Sequence, residues 1–346
     1  MNGVCAVIVT YGNRWCYLHK VIDAALREGV NKVIVIDNNS DAKSRENLLR
    51  IEQTRPQKLK VTYLDKNYGS AGGFRRGLEI AYSDAECKFV WLLDDDNEPS
   101  SGSLRALQEK WLQHRKSEAG DSFALLALRK GLFNINQNRP DAIANSGIGR
   151  KGSFIYFDIT EFPSKIVRYI RRIYQSNLSS FDKYASYNYF KDNKSLIDIK
   201  LKVAPYGGLF IEKSVLQKIG FPKDEFFAYA DDFEWSWRLT ANNGNIYLVQ
   251  ESQIDDIDVS WNINKKSVFH AIRVASDFRI YYFLRNRVYF EKIIQNIYSK
   301  KYKINKIIFI IILRLVVSKK RFQLAQKAIR DGENRKLGFV EDFMLE

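Results

Sequence analysis

Cysteine is scarce and unsuited to building structure. Cys5, Cys16 and Cys87 are odd in number and form no CxxC pair. That excludes a disulfide framework and a thiolate zinc site, and it fits a reducing compartment. Long apolar runs are missing too. The longest, Ile307–Val317 (IIFIIILRLVV), is too short to span a bilayer and contains Arg314. The run Val4–Val9 is short, lacks a basic flank and continues into patterned sequence, unlike a secretory leader. The glycine-rich stretch Asn67–Gly77 (NYGSAGGFRRG) matches neither GxGxxG nor a phosphate loop ending in GK[ST]. A soluble or peripheral globular protein is the expectation.

Positive charge, by contrast, is abundant. Lys and Arg number 55 against 40 Asp and Glu, a net charge of +15 over 346 residues. Such an excess points to a polyanionic partner: nucleic acid, an anionic membrane surface or a phosphorylated substrate. A nucleic-acid reader should show a basic stripe with a recognisable reading motif. None is visible, and no nucleic-acid partner is expected.

The first hundred residues alternate between two periods. Val4–Thr10, Val33–Ile36, Leu59–Leu64 and Phe89–Leu93 read as strands. Helical patterns follow at Leu18–Leu26, stopped by Gly29, at Ser44–Gln53 and at Gly73–Tyr82. Strand–helix alternation predicts a parallel sheet with right-handed crossovers. Each strand runs directly into polar residues: Thr10–Asn13, Asp37–Ser40, Asp65–Gly69 and Asp94–Asp96. In an open parallel sheet these ends line the ligand crevice. Val203–Ile211 reads as a further strand, broken by Gly207 and Gly208 where a ligand or another backbone approaches. From Ser267 onward the chain reads as helical and very basic.

Three adjacent carboxylates at a strand end repel one another and call for positive charge. Asp94 and Asp96, two apart, can aim at one cation while Asp95 points elsewhere or hydrogen-bonds locally. All-oxygen ligation favours Mg²⁺ or Mn²⁺ with positions left for substrate phosphates. Arg75 and Arg76 suit phosphate, and Asp37 can accept a hydrogen bond from a base or ribose. Asp231 and Asp232, in FFAYADDFEWSWR (226–238), open a helix running through Trp235 and Arg238. Helix dipole and aromatic burial pull the pKa of such a pair in opposite directions.

In combination, Asp37–Ser40, Asn67–Gly77, LDDDxxP at Leu93–Pro99 and YxDDxEWxxR at Tyr229–Arg238 resemble the family 2 inverting glycosyltransferases of the GT-A fold, with a galactofuranosyl- and rhamnosyltransferase flavour. The resemblance implies an α/β fold: one Rossmann-like, mostly parallel sheet with flanking helices and a basic helical extension. It places a nucleotide-sugar half at 1–120, an acceptor half at 121–265 with an insertion around 130–200, and the extension at 266–346. Thr10, Tyr11, Asp37, Asn67, Gly69, Gly72, Arg75, Arg76 and Asp95 would hold the donor, a UDP or dTDP sugar. Asp94 and Asp96 would carry Mn²⁺ or Mg²⁺, with Asp256 as third ligand in place of the family's histidine and His270 as the alternative. Asp232 would be the catalytic base with Asp231 beside it, and Gly207, Gly208 and Trp235 would shape the acceptor side. Apart from the resemblance, Lys300–Arg330 joins Lys and Arg clusters to the Ile307–Val317 run, a composition that suits a helix on the anionic cytoplasmic leaflet of the membrane or an arm contacting a second copy of the chain. A lipid-linked precursor of a cell-surface glycan is the acceptor consistent with it. A nucleotidyltransferase is the rival enzyme, but its basic glycine loop after the first strand is poorly matched by TYGNRW at Thr10–Trp15.

Overall fold

The computed structural model describes residues 1–117, 122–129, 199–258, 268–294, 296 and 300–341. Most of the insertion expected around 130–200 lies outside them. The elements are β1 (Val4–Gly12), α1 (Trp15–Arg27), β2 (Lys32–Ser40), α2 (Ala42–Thr54), β3 (Leu59–Tyr63), α3 (Gly69–Ser83), β4 (Phe89–Asp94), β5 (Asn97–Pro99), α4 (Ser103–Ser117), β6 (Phe123–Arg129), β7 (Ile199–Leu201), β8 (Leu209–Glu212), α5 (Lys213–Ile219), α6 (Asp231–Ala241), β9 (Asn245–Asp256), α7 (Val268–Val274), α8 (Asp277–Tyr289), α9 (Lys300–Val316) and α10 (Lys319–Glu333).

Among the described residues nine strands form one sheet, ordered β3-β2-β1-β4-β8-β6-β9-β5, with β7 on β9. Strands β3, β2, β1 and β4 are parallel, as the alternating periods predict. Strand β8 runs antiparallel between β4 and β6, and β5 antiparallel to β9. The central strands are apolar on both faces because helices cover both. Val4, Ala6 and Ile8 of β1 and Val33 and Val35 of β2 pack with Leu18, Val21 and Ile22 of α1. On the other face α3 lies so close that a Cβ at Gly73 or Gly77 would come within 2.5 Å of Val9 and 2.4 Å of Val7.

The described chain divides into two units. The first comprises Met1–Ile135, Lys200–Ile263 and Lys336–Asp342. The second holds Asn264–Arg335 with its helices α7 to α10. Its core includes Tyr281, Tyr282, Leu284, Phe309, Leu313 and Ala328.

Three elements differ from expectation. The strand expected at Val203–Ile211 begins only at Leu209, because Pro205 lacks an N–H for the ladder and Gly208 takes φ +96°. Helix α3 starts at Gly69 rather than Gly73, so much of the glycine-rich stretch is helix. The strand whose apolar pattern covers Asn245–Val249, β9, runs on to Asp256, because β5 pairs with its far end.

Candidate active site

The carboxyl ends of β1, β4 and β9 bring five aspartates together. Val9 of β1 is in register with Asp94, and Asn97 of β5 with Asp256. The turn between β4 and β5 therefore places Asp94–Asp96 against the end of β9. Two arginines answer the repulsion. Arg14 Nε donates to Asp95 Oδ1 at 2.7 Å and Oδ2 at 2.9 Å, Nη1 to Asp258 Oδ2 at 2.8 Å, and Nη2 to Asp96 Oδ2 at 3.0 Å. Arg129, closing β6, joins Asp94 Oδ2 at 3.2 Å to Asp256 Oδ1 at 2.7 Å. Thr10 Oγ1 donates to Asp95 Oδ2 at 2.8 Å, and Asn97 Nδ2 to Asp256 Oδ1 at 2.8 Å. Asp95 is thus held by Thr10 of β1 and by Arg14 just ahead of α1.

Five carboxylates against two guanidiniums leave a formal charge of −3 when all are ionised. The excess shows in the titration. Burial, then repulsion by Asp94 and Asp95, pushes Asp96 up to about 7. Burial raises Asp95 to about 6 against the pull of Arg14. Burial likewise raises Asp94, whose side chain is the most open of the three, at 38% exposed.

A hard divalent ion fits this donor set. The cluster keeps negative charge that Arg14 and Arg129 do not offset, and Asp94 and Asp96 offer two carboxylates, as magnesium-type sites require. Among the described residues no three His, Cys, Asp or Glu groups are placed to hold a metal ion together. The fit is to the Asp94 and Asp96 carboxylates, with the other positions left to substrate. Asp256 stands next to Asp94 through Arg129 and Asn97. His270 lies on α7 of the second unit.

Opposite the cluster, the loop before α6 holds an unusual backbone. Phe227, Tyr229 and Ala230 all have positive φ, at 64°, 66° and 59°. Each non-glycine residue in this region costs about 1–2 kcal/mol, so the surrounding contacts must impose it. They come from α3 and from a distant stretch of chain. Ala71 N donates to Phe227 O at 3.1 Å, and Gly338 N to Glu225 O at 2.7 Å, with the Phe339 ring 5.1 Å from that of Phe227. Gly69 makes the fit possible: its φ is +72°, and a Cβ there would sit 1.9 Å from Phe227 O.

This loop delivers Asp231 and Asp232 to the first turn of α6. Asp231 is 3% exposed, accepts from Ser70 Oγ at 2.9 Å, and is raised to about 6 mainly by burial, with Asp94 near enough to add to the rise. The buried Tyr206 hydroxyl is pushed well above its usual range by burial and by Asp231 and Asp232. Asp232 is half-buried, and its Oδ1 accepts from Phe233 N at 2.8 Å.

The remaining expected residues occupy varied places. Tyr11 is exposed, with Arg14 5.7 Å from its ring centre. Asp37 is fully buried and both its oxygens are engaged, by Ser40 N at 2.8 Å and Arg45 Nε at 2.5 Å. Asn67 Oδ1 accepts from Gly69 N at 2.8 Å and from Asn38 Nδ2 at 3.0 Å, fixing the start of α3. At Gly72 a Cβ would meet Tyr68 at 2.6 Å. Arg76 lies 3.9 Å from the Tyr68 ring centre, and both Arg75 and Arg76 reach Asp224, at 3.6 and 3.4 Å. Gly207 touches the cluster: its Cβ would come 2.0 Å from Asn97 Oδ1 and 2.6 Å from both Asp94 Oδ2 and Arg129 Nη1. Gly208 instead meets backbone, donating to Leu92 O at 2.8 Å. Trp235 has no exposed surface, and its indole donates to Gly220 O at 2.8 Å, so it serves the core.

Sequence reasoning passed over Arg14, Ser70, Asn97, Arg129 and Tyr206. Arg14 had a signal in its position just after β1. Arg129 had one as the cation ending the apolar run FALLALR.

Residues 5–144 match the family described as Glycosyl transferase family 2. No curated protein matches the chain. Among solved structures, a crystal structure of GalNAc-T7 with UDP, GalNAc and Mn²⁺ is similar, with 14% identity and a TM-score of 0.53 over 88% of this chain and 49% of that one. The chain thus spans about half the length of that protein. The mannosyltransferase PcManGT from Pyrobaculum calidifontis, in complex with GDP-Man and Mn²⁺, gives 14% identity, 98% and 76% coverage and a TM-score of 0.49. S. aureus TarS 1–349 gives 13%, 95% and 88%, and 0.44. At such identities the likeness concerns the fold: the chain has the GT-A architecture.

Proposed function

We propose that this chain is a metal-dependent inverting glycosyltransferase that moves a sugar from a nucleoside-diphosphate donor to an acceptor hydroxyl. The observation that carries the reading is the meeting, on one sheet edge, of an over-charged carboxylate cluster with an acidic pair on a strained loop, close enough for Asp94 to raise Asp231. The family match over residues 5–144 supports the same chemistry.

The two acids divide the work. Asp231 is enclosed and tied to Ser70, so it anchors α6 against α3. Asp232 retains access to solvent and takes the base role, accepting the proton of the acceptor hydroxyl. The freed oxygen attacks the anomeric carbon from the face opposite the diphosphate. The carbon–oxygen bond to phosphate breaks, and the configuration inverts. Asp94 and Asp96, with Asp256 as the third candidate ligand, would hold a divalent ion, which would supply charge to offset the departing diphosphate. Arg75 and Arg76, which pair with Asp224, would lend further positive charge to the diphosphate, and Thr10, Arg14 and Asn97 hold the turn in register. Gly207 lets its backbone pack directly against Asp94, Asn97 and Arg129.

The combined resemblance of Asp37–Ser40, Asn67–Gly77, Leu93–Pro99 and Tyr229–Arg238 favours galactofuranose or rhamnose carried on UDP or dTDP. The basic stretch Lys300–Arg330 is consistent with a lipid-linked glycan precursor as acceptor. A panel of such donors, assayed with Mn²⁺, tests the reading. Release of nucleoside diphosphate with an inverted glycoside supports it, whereas pyrophosphate release identifies a nucleotidyltransferase. Asp232→Asn should lower turnover by about 10³-fold or more while donor affinity changes little. Near-normal turnover in that variant removes Asp232 from the base role.

A further inference from the structure

Helix α9 is apolar on two opposite faces, and only one of them is covered. Tyr302, Phe309, Ile312 and Leu313 are buried inside the second unit, where Phe309 stacks on Phe269 at 5.2 Å. On the other side Ile304, Ile307, Ile311 and Leu315 are between 50 and 73% exposed. With 3.6 residues per turn these four fall within an arc of about 80°, a continuous aliphatic stripe. A helix that is apolar all round belongs in a core or against a membrane, and this one is only half enclosed.

The charge around the stripe has one sign. Residues 300–330 contain ten Lys and Arg and no Asp or Glu. Lys303 and Arg314 are exposed along one flank, and Lys319 and Lys320 are exposed where α10 begins. Acids outside this stretch engage some of its cations: Glu333 bonds Lys306 at 2.5 Å, and Asp277 meets Lys320 at 3.2 Å. Lys320 nevertheless remains 84% exposed.

We infer that this stripe and its basic rim dock the protein onto an anionic lipid surface. A second copy fits poorly. Pairing the stripe with itself would bring two like-charged rims together with no acid in the stretch to separate them. A nucleic acid fits poorly as well, because the stripe is aliphatic and offers no ring for base stacking. A lipid leaflet accepts the isoleucines among its acyl chains and pairs the lysines with headgroups. The helix then lies along the interface, since none among the described residues is long and apolar enough to cross. The inference stands apart from the catalytic reading and holds or fails without it.

The test is flotation of the full chain with vesicles of phosphatidylcholine alone and with about one third phosphatidylglycerol. The protein should float with the anionic vesicles and remain behind with the neutral ones, and added salt should release it. Ile307→Glu with Ile311→Glu should cut partition by at least about tenfold. Lys319→Gln with Lys320→Gln should cut it by about thirtyfold, near fivefold per cation. All these positions are exposed, and thermal melting confirms that each variant folds. Absence of flotation in the wild type, or equal flotation with both vesicle types, overturns the inference. So does unchanged binding by the isoleucine variant. A dimer that Ile307→Glu dissolves, with no vesicle binding, assigns the face to a second copy instead.

Discussion

Raising the pH without a divalent ion should destabilise this protein, and the carboxylate cluster sets the size of the effect. Asp95 and Asp96 hold protons in the folded state up to about 6 and about 7, against 3.8 for a free aspartate. Between those limits the folded protein keeps protons that the unfolded chain has released, so stability falls as pH rises. The penalty is absent below about pH 4 and complete above about pH 7. Moving one carboxyl from 3.8 to about 7 corresponds to on the order of 4 kcal/mol. Asp95 shares the same mutual repulsion, so its contribution overlaps with that of Asp96 rather than adding in full. Asp84, held low by the Lys32 ammonium, acts in the opposite sense, but only below the unfolded value and outside this window. In chelator the melting temperature should therefore drop by roughly 5–10 °C between about pH 4.5 and 7.5. Mn²⁺ at about a hundred times its Kd should return about 2.7 kcal/mol at the upper pH. It should do little at the lower pH, where protons occupy the site. Asp94→Asn with Asp96→Asn should flatten the slope and abolish the Mn²⁺ effect together. A melting temperature that rises over this window in chelator would refute the charge accounting. An equal Mn²⁺ shift in the double variant would refute the metal assignment.

Three substitutions probe the same frame. Gly69→Ala puts a methyl where Phe227 O stands and forces φ +72° on alanine. Turnover should fall about hundredfold through displacement of the Asp232 loop, with about 1–3 kcal/mol lost in denaturant unfolding. Gly207→Ala intrudes on Asp94, Asn97 and Arg129. It should weaken Mn²⁺ binding by about 10–100-fold in calorimetric titration, and unchanged affinity would mean the ion sits elsewhere. Arg14→Met strips the counter-charge from Asp95, Asp96 and Asp258 and should cost about 3–5 kcal/mol in denaturant unfolding at neutral pH. Arg14→Lys should restore only part of that, because one ammonium cannot span three carboxylates.

The parallel half of the sheet was readable because burial on both faces leaves continuous apolar runs, as in Val4–Thr10 and Val33–Ile36. The polar residues that follow them were readable for the same reason: strand ends in a parallel sheet share an edge. The opposing cations were not. Arg14 and Asp258 are separated by 244 positions and meet only because β9 returns beside β5. Arg129 depends on β6, a short apolar run whose period cannot distinguish strand from helix. Glycine was the least transparent residue. In α3, Gly73 and Gly77 serve close packing on β1, while Gly69 accommodates a carbonyl from a loop some 158 positions away. Trp235 looked like a surface for sugar within an aromatic motif, but it fills the space behind α6.

The contact of Gly338 and Phe339 with the Glu225–Phe227 segment has a practical consequence for anyone who shortens this protein. A cut after Arg335 follows α10 and spares every strand among the described residues. It would nonetheless release a tie that helps hold three left-handed residues in place. Spectroscopy would report an intact sheet in the trimmed protein while turnover collapsed, and a bulky tag fused nearby would do similar damage.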